Sequence, residues 1–247
     1  MNLHDTVALV TGGAKRVGRA IVLELARAGC NVAIHFRNSR AEAEQLAREV
    51  GRIGRRALTV SGDLRDTSSW SAIIRQTIDG LDRLDVLVNN ASMFLTGKPD
   101  SIDAFDHQQW EAVYRVNLVA PMALSHHARP YLEAHGGGKI VNLCDISAER
   151  PLPKHLAYCT SKAALIALTK GLARVMAPSV QVNAVAPGIA VFPDEYSAAL
   201  RGKLTSRVPL GREGTPREVA RLVRFLVESG DYITGQVIPI DGGRSLI

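Results

Sequence analysis

The chain has 247 residues, 46% of them apolar and 22% charged, with a net charge of +6. These values exclude a disordered or fibrous polypeptide and suit one α/β unit with a single core. No apolar run approaches the roughly 20 residues that span a bilayer. The basic residues are scattered rather than massed as they are for nucleic acid.

Residues 1–5 are polar, without the basic and apolar regions of a secretory leader, so a cytosolic protein with no membrane or nucleic-acid partner is expected. Cys30, Cys144 and Cys159 are odd in number and lack metal-ligand spacing. They are expected as small buried hydrophobes, with neither a disulfide framework nor a metal site.

Apolar runs predict strands at 7–11, 31–35, 56–61, 86–89, 139–143, 180–185 and 237–240. Amphipathic stretches predict helices at 17–28, 41–53, 68–79, 105–134, 156–177 and 216–228. Strict alternation of the two predicts a single-domain α/β fold over residues 1–247. Its form is a Rossmann-type, doubly wound parallel sheet of seven strands with helices on both faces. Residues 188–212, with Pro193 and Pro209 and weak periodicity, are expected to be an irregular substrate loop.

Between the first strand and first helix stands Thr11-Gly12-Gly13-Ala14-Lys15-Arg16-Val17-Gly18. Backbone amides and the helix dipole at such a junction can hold a pyrophosphate, which makes Gly12, Lys15, Arg16 and Val17 candidate dinucleotide contacts. The second strand runs into His35-Phe36-Arg37-Asn38-Ser39-Arg40, with no carboxylate to accept from ribose hydroxyls. A 2'-phosphate would be welcomed by Arg37, Ser39, His35 or Arg40, so NADPH is expected rather than NADH. The alternative is that Arg37 and Arg40 only solvate a helix start.

Later, Tyr158 and Lys162 stand four residues apart at the start of a helix and share one face. A nearby ammonium would stabilise the phenolate and bring a phenol of pKa about 10 toward working pH. Thirteen positions before Tyr158 lies Asp145, followed closely by Ser147.

The glycine loop, Asn89-Asn90-Ala91-Ser92, and Tyr158 with Lys162 together resemble the short-chain dehydrogenase/reductase family. Arg16 replaces the middle glycine of that family's loop, and Asp145 replaces its usual serine. Both departures are similar to the pteridine reductases. The resemblance covers nearly the whole chain, through Asp241-Gly242-Gly243, and implies several roles. Asp63 and Leu64 would meet the adenine edge, while Asn89, Ala91 and Ser92 would lie against the cofactor. Pro187, Gly188 and Ile189 would meet the nicotinamide carboxamide. Lys162 would hold the nicotinamide ribose, with Tyr158 beside it. Asn117 would hold a water near the active lysine, making the implied catalytic set Asp145, Tyr158, Lys162 and Asn117.

The same resemblance implies that Phe94 sandwiches a flat pterin against the nicotinamide, with Arg16, Ser92, Asp145 and Tyr158 as further substrate contacts. It also implies a homotetramer built on the helices at 105–134 and 156–177. The function expected is NADPH-dependent reduction of a pterin, dihydrofolate included if the pocket mouth admits its tail. A carbonyl reductase such as a 3-oxoacyl carrier-protein reductase is the first alternative, with Ser147 taking the hydroxyl role. A non-catalytic NADPH-binding sensor is the second.

Overall fold

The computed structural model describes residues 1–95, 105–193 and 195–247. Seven parallel strands form one sheet: β1 (Val7–Val10), β2 (Asn31–Phe36), β3 (Ala57–Ser61), β4 (Val86–Asn89), β5 (Gly138–Leu143), β6 (Val180–Pro187) and β7 (Val237–Ile240). Their order is β3-β2-β1-β4-β5-β6-β7, so the chain reverses direction across the sheet between β1 and β4. Strands buried on both faces are continuous Val/Ile/Leu runs because neither side meets water.

Helices α1 (Arg16–Arg27), α2 (Arg40–Arg52) and α8 (Pro216–Glu228) cover one face through Ile21, Val22, Leu46, Val50, Val219 and Val223. On the other, α3 (Thr67–Leu81), α5 (Ala120–Glu133) and α6 (Leu156–Met176) bury Ile73, Ile74, Leu124, Leu132 and Leu172. The doubly wound architecture is as expected. Local chemistry places the helix starts. Asp66 accepts from the Ser68 amide, and Thr215 with Glu218 forms a reciprocal capping box ahead of α8, with Pro216 in its first turn.

Three expectations change. Strand β6 continues to Pro187 because Ala186 and Pro187 still pair with Pro239 and Ile240. The long helix predicted at 105–134 is divided into α4 (His107–Tyr114), a π-helical turn (Arg115–Val119) and α5. Pro121 lies in the first turn of α5 and carries no N–H, so the Asn117 carbonyl loses its i+4 donor and the helix shifts to wider bonding. The segment 188–212 is not wholly irregular, since α7 (Ala198–Thr205) forms where the Ser197 hydroxyl accepts from the Leu200 amide.

All three cysteines are free and buried. Among the described residues, no helix is long and apolar enough to cross a membrane.

Candidate active site

The carboxyl ends of β1, β4 and β5 meet at the point where strand order reverses, the place where open α/β sheets form a ligand crevice. Gly12 turns the chain there at φ +60°, and a Cβ on it would lie 3.1 Å from the Ala91 Cα. A Cβ on Gly18 would fall 2.2 Å from the Gly12 carbonyl oxygen, so only glycine lets the α1 start approach this turn. Asn90 fastens the loop by donating to the carbonyls of Thr11 and Gly12, at 2.8 and 3.1 Å. The Thr11 hydroxyl in turn accepts from the amides of Asn90 and Ala91.

Among the described residues no side chain caps the start of α1, so the amides of its first turn can meet an anion. Lys15 beside them is exposed and paired with Glu42 at 2.5 Å. Arg16 takes the left-handed conformation at φ +52°, and its guanidinium donates to the Phe192 carbonyl at 3.1 Å. Val17 is half-buried behind it.

At the end of β2, Arg37 and Asn38 are exposed, and Ser39 heads α2 without a side-chain cap bond. This turn suits a phosphate monoester. Phe36 is buried beneath the Arg40 guanidinium, 5.5 Å from its ring centroid. His35 corrects an expectation. It is 2% exposed, its Nδ1 accepts from the Gly12 amide at 3.2 Å, and its Nε2 lies 3.1 Å from the Gly62 carbonyl. Burial lowers its pKa to about 4. A neutral ring bonded at both nitrogens braces the glycine loop and has no reach to a 2'-phosphate.

Two other candidates present less than expected. The Asn89 side chain is buried and donates to Asn142 Oδ1 at 2.8 Å, so only its backbone faces the crevice. Asp63 is held by Arg65 through Nε and a terminal nitrogen 2.5 Å away, which lowers its pKa to about 2. Leu64 is buried next to it. At the far wall, the Gly188 amide donates to Ile240 O and Ile189 O accepts from the Gly214 amide, so Pro187, Gly188 and Ile189 are backed by the sheet edge.

Tyr158 projects from the first turn of α6 and donates its hydroxyl to Asp145 Oδ2 at 2.8 Å. The other oxygen, Oδ1, accepts from the Ser147 amide at 2.7 Å and caps the 3-10 turn Ile146–Ala148. Lys162 is 2% exposed and donates to the Leu143 carbonyl at 2.6 Å, with Nζ 5.7 Å from the Tyr158 ring centroid. The expected lowering of the phenol is therefore corrected. Burial first, and then the Asp145 carboxylate, raise the Tyr158 pKa well above its ordinary value, while burial lowers that of Lys162. Tyr158 is a loaded proton donor at neutral pH.

Ser147 is 5% exposed and among the described residues its hydroxyl has no hydrogen-bond partner, so the group facing Tyr158 is a carboxylate and not a serine hydroxyl. Asn117 braces the crevice rather than touching Lys162 with its side chain. Its Oδ1 accepts from the Met93 amide at 2.7 Å and the Ser92 hydroxyl at 3.2 Å, and its Nδ2 donates to Ser161 Oγ at 3.0 Å. Phe94 meets Tyr158 edge-on with centroids 4.9 Å apart. His155, which the sequence reading missed, lies against Phe94 at 4.5 Å, tilted by 31°. Its only sequence signal was its place one turn before Tyr158. Among the described residues, no group of three His, Cys, Asp or Glu could hold a metal ion.

The family model described as enoyl-(acyl carrier protein) reductase matches residues 12–245. The chain belongs to the short-chain dehydrogenase/reductase family. Over 240 residues it is 33% identical to the 3-oxoacyl-[acyl-carrier-protein] reductase FabG of Staphylococcus aureus, covering 96% of each chain. Another short-chain relative, 4-formylbenzenesulfonate dehydrogenase TsaC1/TsaC2 of Comamonas testosteroni, is 37% identical with full coverage of both. The crystal structure of FolM alternative dihydrofolate reductase 1 from Brucella canis, complexed with NADP, superposes with a TM-score of 0.92 at 34% identity. It covers 100% of this chain and 96% of that one.

Proposed function

We propose that this short-chain reductase uses NADPH to reduce a pterin. The observation that carries the reading is the 2.8 Å contact between Tyr158 and the Asp145 carboxylate, with the Ser147 hydroxyl buried behind it. A carboxylate beside a ketone oxygen would oppose the negative charge that develops during carbonyl reduction. Beside a ring nitrogen that must gain a proton, the same group orients the phenol and passes the proton on.

The cofactor fits this chain on three features: the cradle at Gly12 and Gly18, the uncapped start of α1, and the exposed Arg37-Asn38-Ser39 turn without an acid. Gly12, Lys15, Arg16 and Val17 would hold the pyrophosphate side and Arg37 with Ser39 the 2'-phosphate. Asp63 and Leu64 would border the adenine. Ala91, Ser92, Lys162 and the backbone of residues 187–189 would border the nicotinamide riboside. When bound, the dinucleotide supplies the hydride for the C=N carbon. Tyr158 delivers its proton to the adjacent ring nitrogen, directly or through a water, while Asp145 fixes the hydroxyl. Phe94 offers a stacking surface for a flat bicycle, and Ser92 and Arg16 face its polar edge.

The NADP-bound FolM relative supports this reading; the FabG relative and the matched family description support the carbonyl reductase alternative. The experiment is oxidation of NADPH against dihydrobiopterin, dihydromonapterin, dihydrofolate and acetoacetyl thioesters. Turnover of pterins and not of thioesters is the expected result. Turnover of the thioester alone overturns it, and cofactor binding without any turnover favours a sensor. The reading includes a cytosolic homotetramer of one-domain chains, with α4 to α6 at the interface. Val119, Met122 and Val175 are exposed apolar residues on that side, and light scattering of the purified protein measures the assembly.

A further inference from the structure

Three arginines from separate parts of the chain gather around the C-terminal turn, and one of them, Arg244, lies within electrostatic range of Asp145. Arg150 follows the 3-10 turn that Asp145 caps, Arg207 lies just past α7, and Arg244 opens the C-terminal turn Arg244–Leu246. Asp241 sets the path of that turn, its two oxygens accepting from the amides of Gly243 and Ser245 at 2.9 and 2.7 Å. The Arg244 guanidinium donates to the Leu204 carbonyl at 3.1 Å. Arg150 donates to the carbonyls of Arg244 and Ser245 at 3.4 and 3.3 Å. These bonds hold Arg244 within electrostatic range of both Asp145 and Arg207.

Asp145 and Asp241 act on the cluster from a distance, but among the described residues no carboxylate forms an ion pair with it. Carboxylates pair with Arg19, Arg55, Arg56, Arg65, Arg83, Arg129, Arg212 and Arg224, but among the described residues none lies within 4 Å of Arg150, Arg207 or Arg244. The nearby acids are already committed: Asp145 to Tyr158 and the Ser147 amide, Asp241 to two backbone amides. Among the described residues, one nitrogen of Arg244 and one of Arg150 are used on carbonyls, so most of their donors remain for a ligand. Partial burial and the like charge of Arg207 hold the Arg244 pKa down, as expected of a cation set that an anion would relieve.

We propose that Arg207 and Arg244, steadied by Arg150, bind a carboxylate on the tail of the substrate, so that the enzyme favours pterins with an anionic substituent over those with a neutral one. This rests on the pterin reading of the site. Guanidinium forks match a carboxylate in a bidentate way, and hydrogen bonds between charged partners are stronger than neutral ones. Arg244 lies within electrostatic range of Asp145, so a ring held against Asp145 would have this wall within reach of a long substituent.

The test compares dihydrofolate, which carries a glutamate carboxylate, with dihydrobiopterin, whose side chain is neutral, in the wild type, Arg207→Gln and Arg244→Gln. Each substitution should raise KM for dihydrofolate about tenfold, leaving its kcat and both constants for dihydrobiopterin within about twofold. Added salt should raise the dihydrofolate KM alone. Arg207 is exposed and among the described residues bonds to no carbonyl, so Arg207→Gln reads the effect even if Arg244→Gln disturbs the C-terminal turn. Equal shifts for both pterins, or none for dihydrofolate, overturn the proposal while the pterin reading stands. Turnover of acetoacetyl-coenzyme A with both pterins inert overturns both.

Discussion

Acidification should loosen the glycine loop through His35. In the folded chain Nδ1 accepts the Gly12 amide, which requires the proton to sit on Nε2, facing the Gly62 carbonyl. A second proton would point at the Gly12 N–H, a donor against a donor, inside a site that is 2% exposed. The folded pKa is accordingly about 4, against 6.5 for a free imidazole. The sign follows. Above pH 6.5 both states are neutral and the full stability is present; as pH falls, the unfolded chain takes up a proton that the folded chain refuses, and the loss is complete near pH 4.

At ~1.4 kcal/mol per pH unit, that displacement is worth about 3 kcal/mol, a large share of the ~5–15 kcal/mol that holds a typical domain together. The assay is urea unfolding of the wild type and His35→Asn above pH 6.5 and near pH 4. Asparagine keeps an amide close to the Nδ1 position without a titration in this range. The variant should begin less stable, and the wild type should lose about 3 kcal/mol more than the variant on acidification. NADPH affinity should weaken over the same range in the wild type. Parallel pH slopes in the two proteins would refute the brace.

Three further outcomes are expected. Arg37→Asp should raise KM for NADPH far more than for NADH, and equal effects would remove Arg37 from the 2'-phosphate. Asp145→Ser should lower kcat for pterin reduction about 10²-fold and shift the alkaline limb of the pH–rate profile to lower pH, since the carboxylate no longer opposes the phenolate; unchanged reduction ends its proton-relay role. Arg16→Gly should relieve the left-handed backbone and stabilise the fold by ~1 kcal/mol in thermal unfolding, while weakening NADPH binding; a loss of stability would show that the Arg16 side-chain contacts, the Phe192 carbonyl among them, outweigh the strain.

Much of the architecture was legible because its signals are local. Unbroken Val/Ile/Leu runs marked strands buried on both faces, and β4 and β7 fall at the predicted residues 86–89 and 237–240. Helix α8 begins at Pro216 and ends at Glu228, the residues its periodicity predicted, while the capping box of Thr215 and Glu218 that fixes its start emerged only in the structure. Helix α7 was missed because eight residues with little buried surface leave no strong periodic pattern. The break at Asn117 was missed because periodicity continues through a π-helical turn.

The spacing of Tyr158 and Lys162, the glycines before α1 and the absence of an acid after β2 were settled by the sequence alone, since each depends on residues only a few positions apart. Partnerships between distant segments were settled by folding. Tertiary packing set His35 under the glycine loop, turned the Lys162 ammonium to a carbonyl, closed Tyr158 onto Asp145 and brought Arg150, Arg207 and Arg244 to one wall. Burial then decided which groups keep their protons, because the cost of charge depends on surroundings that a linear pattern does not contain.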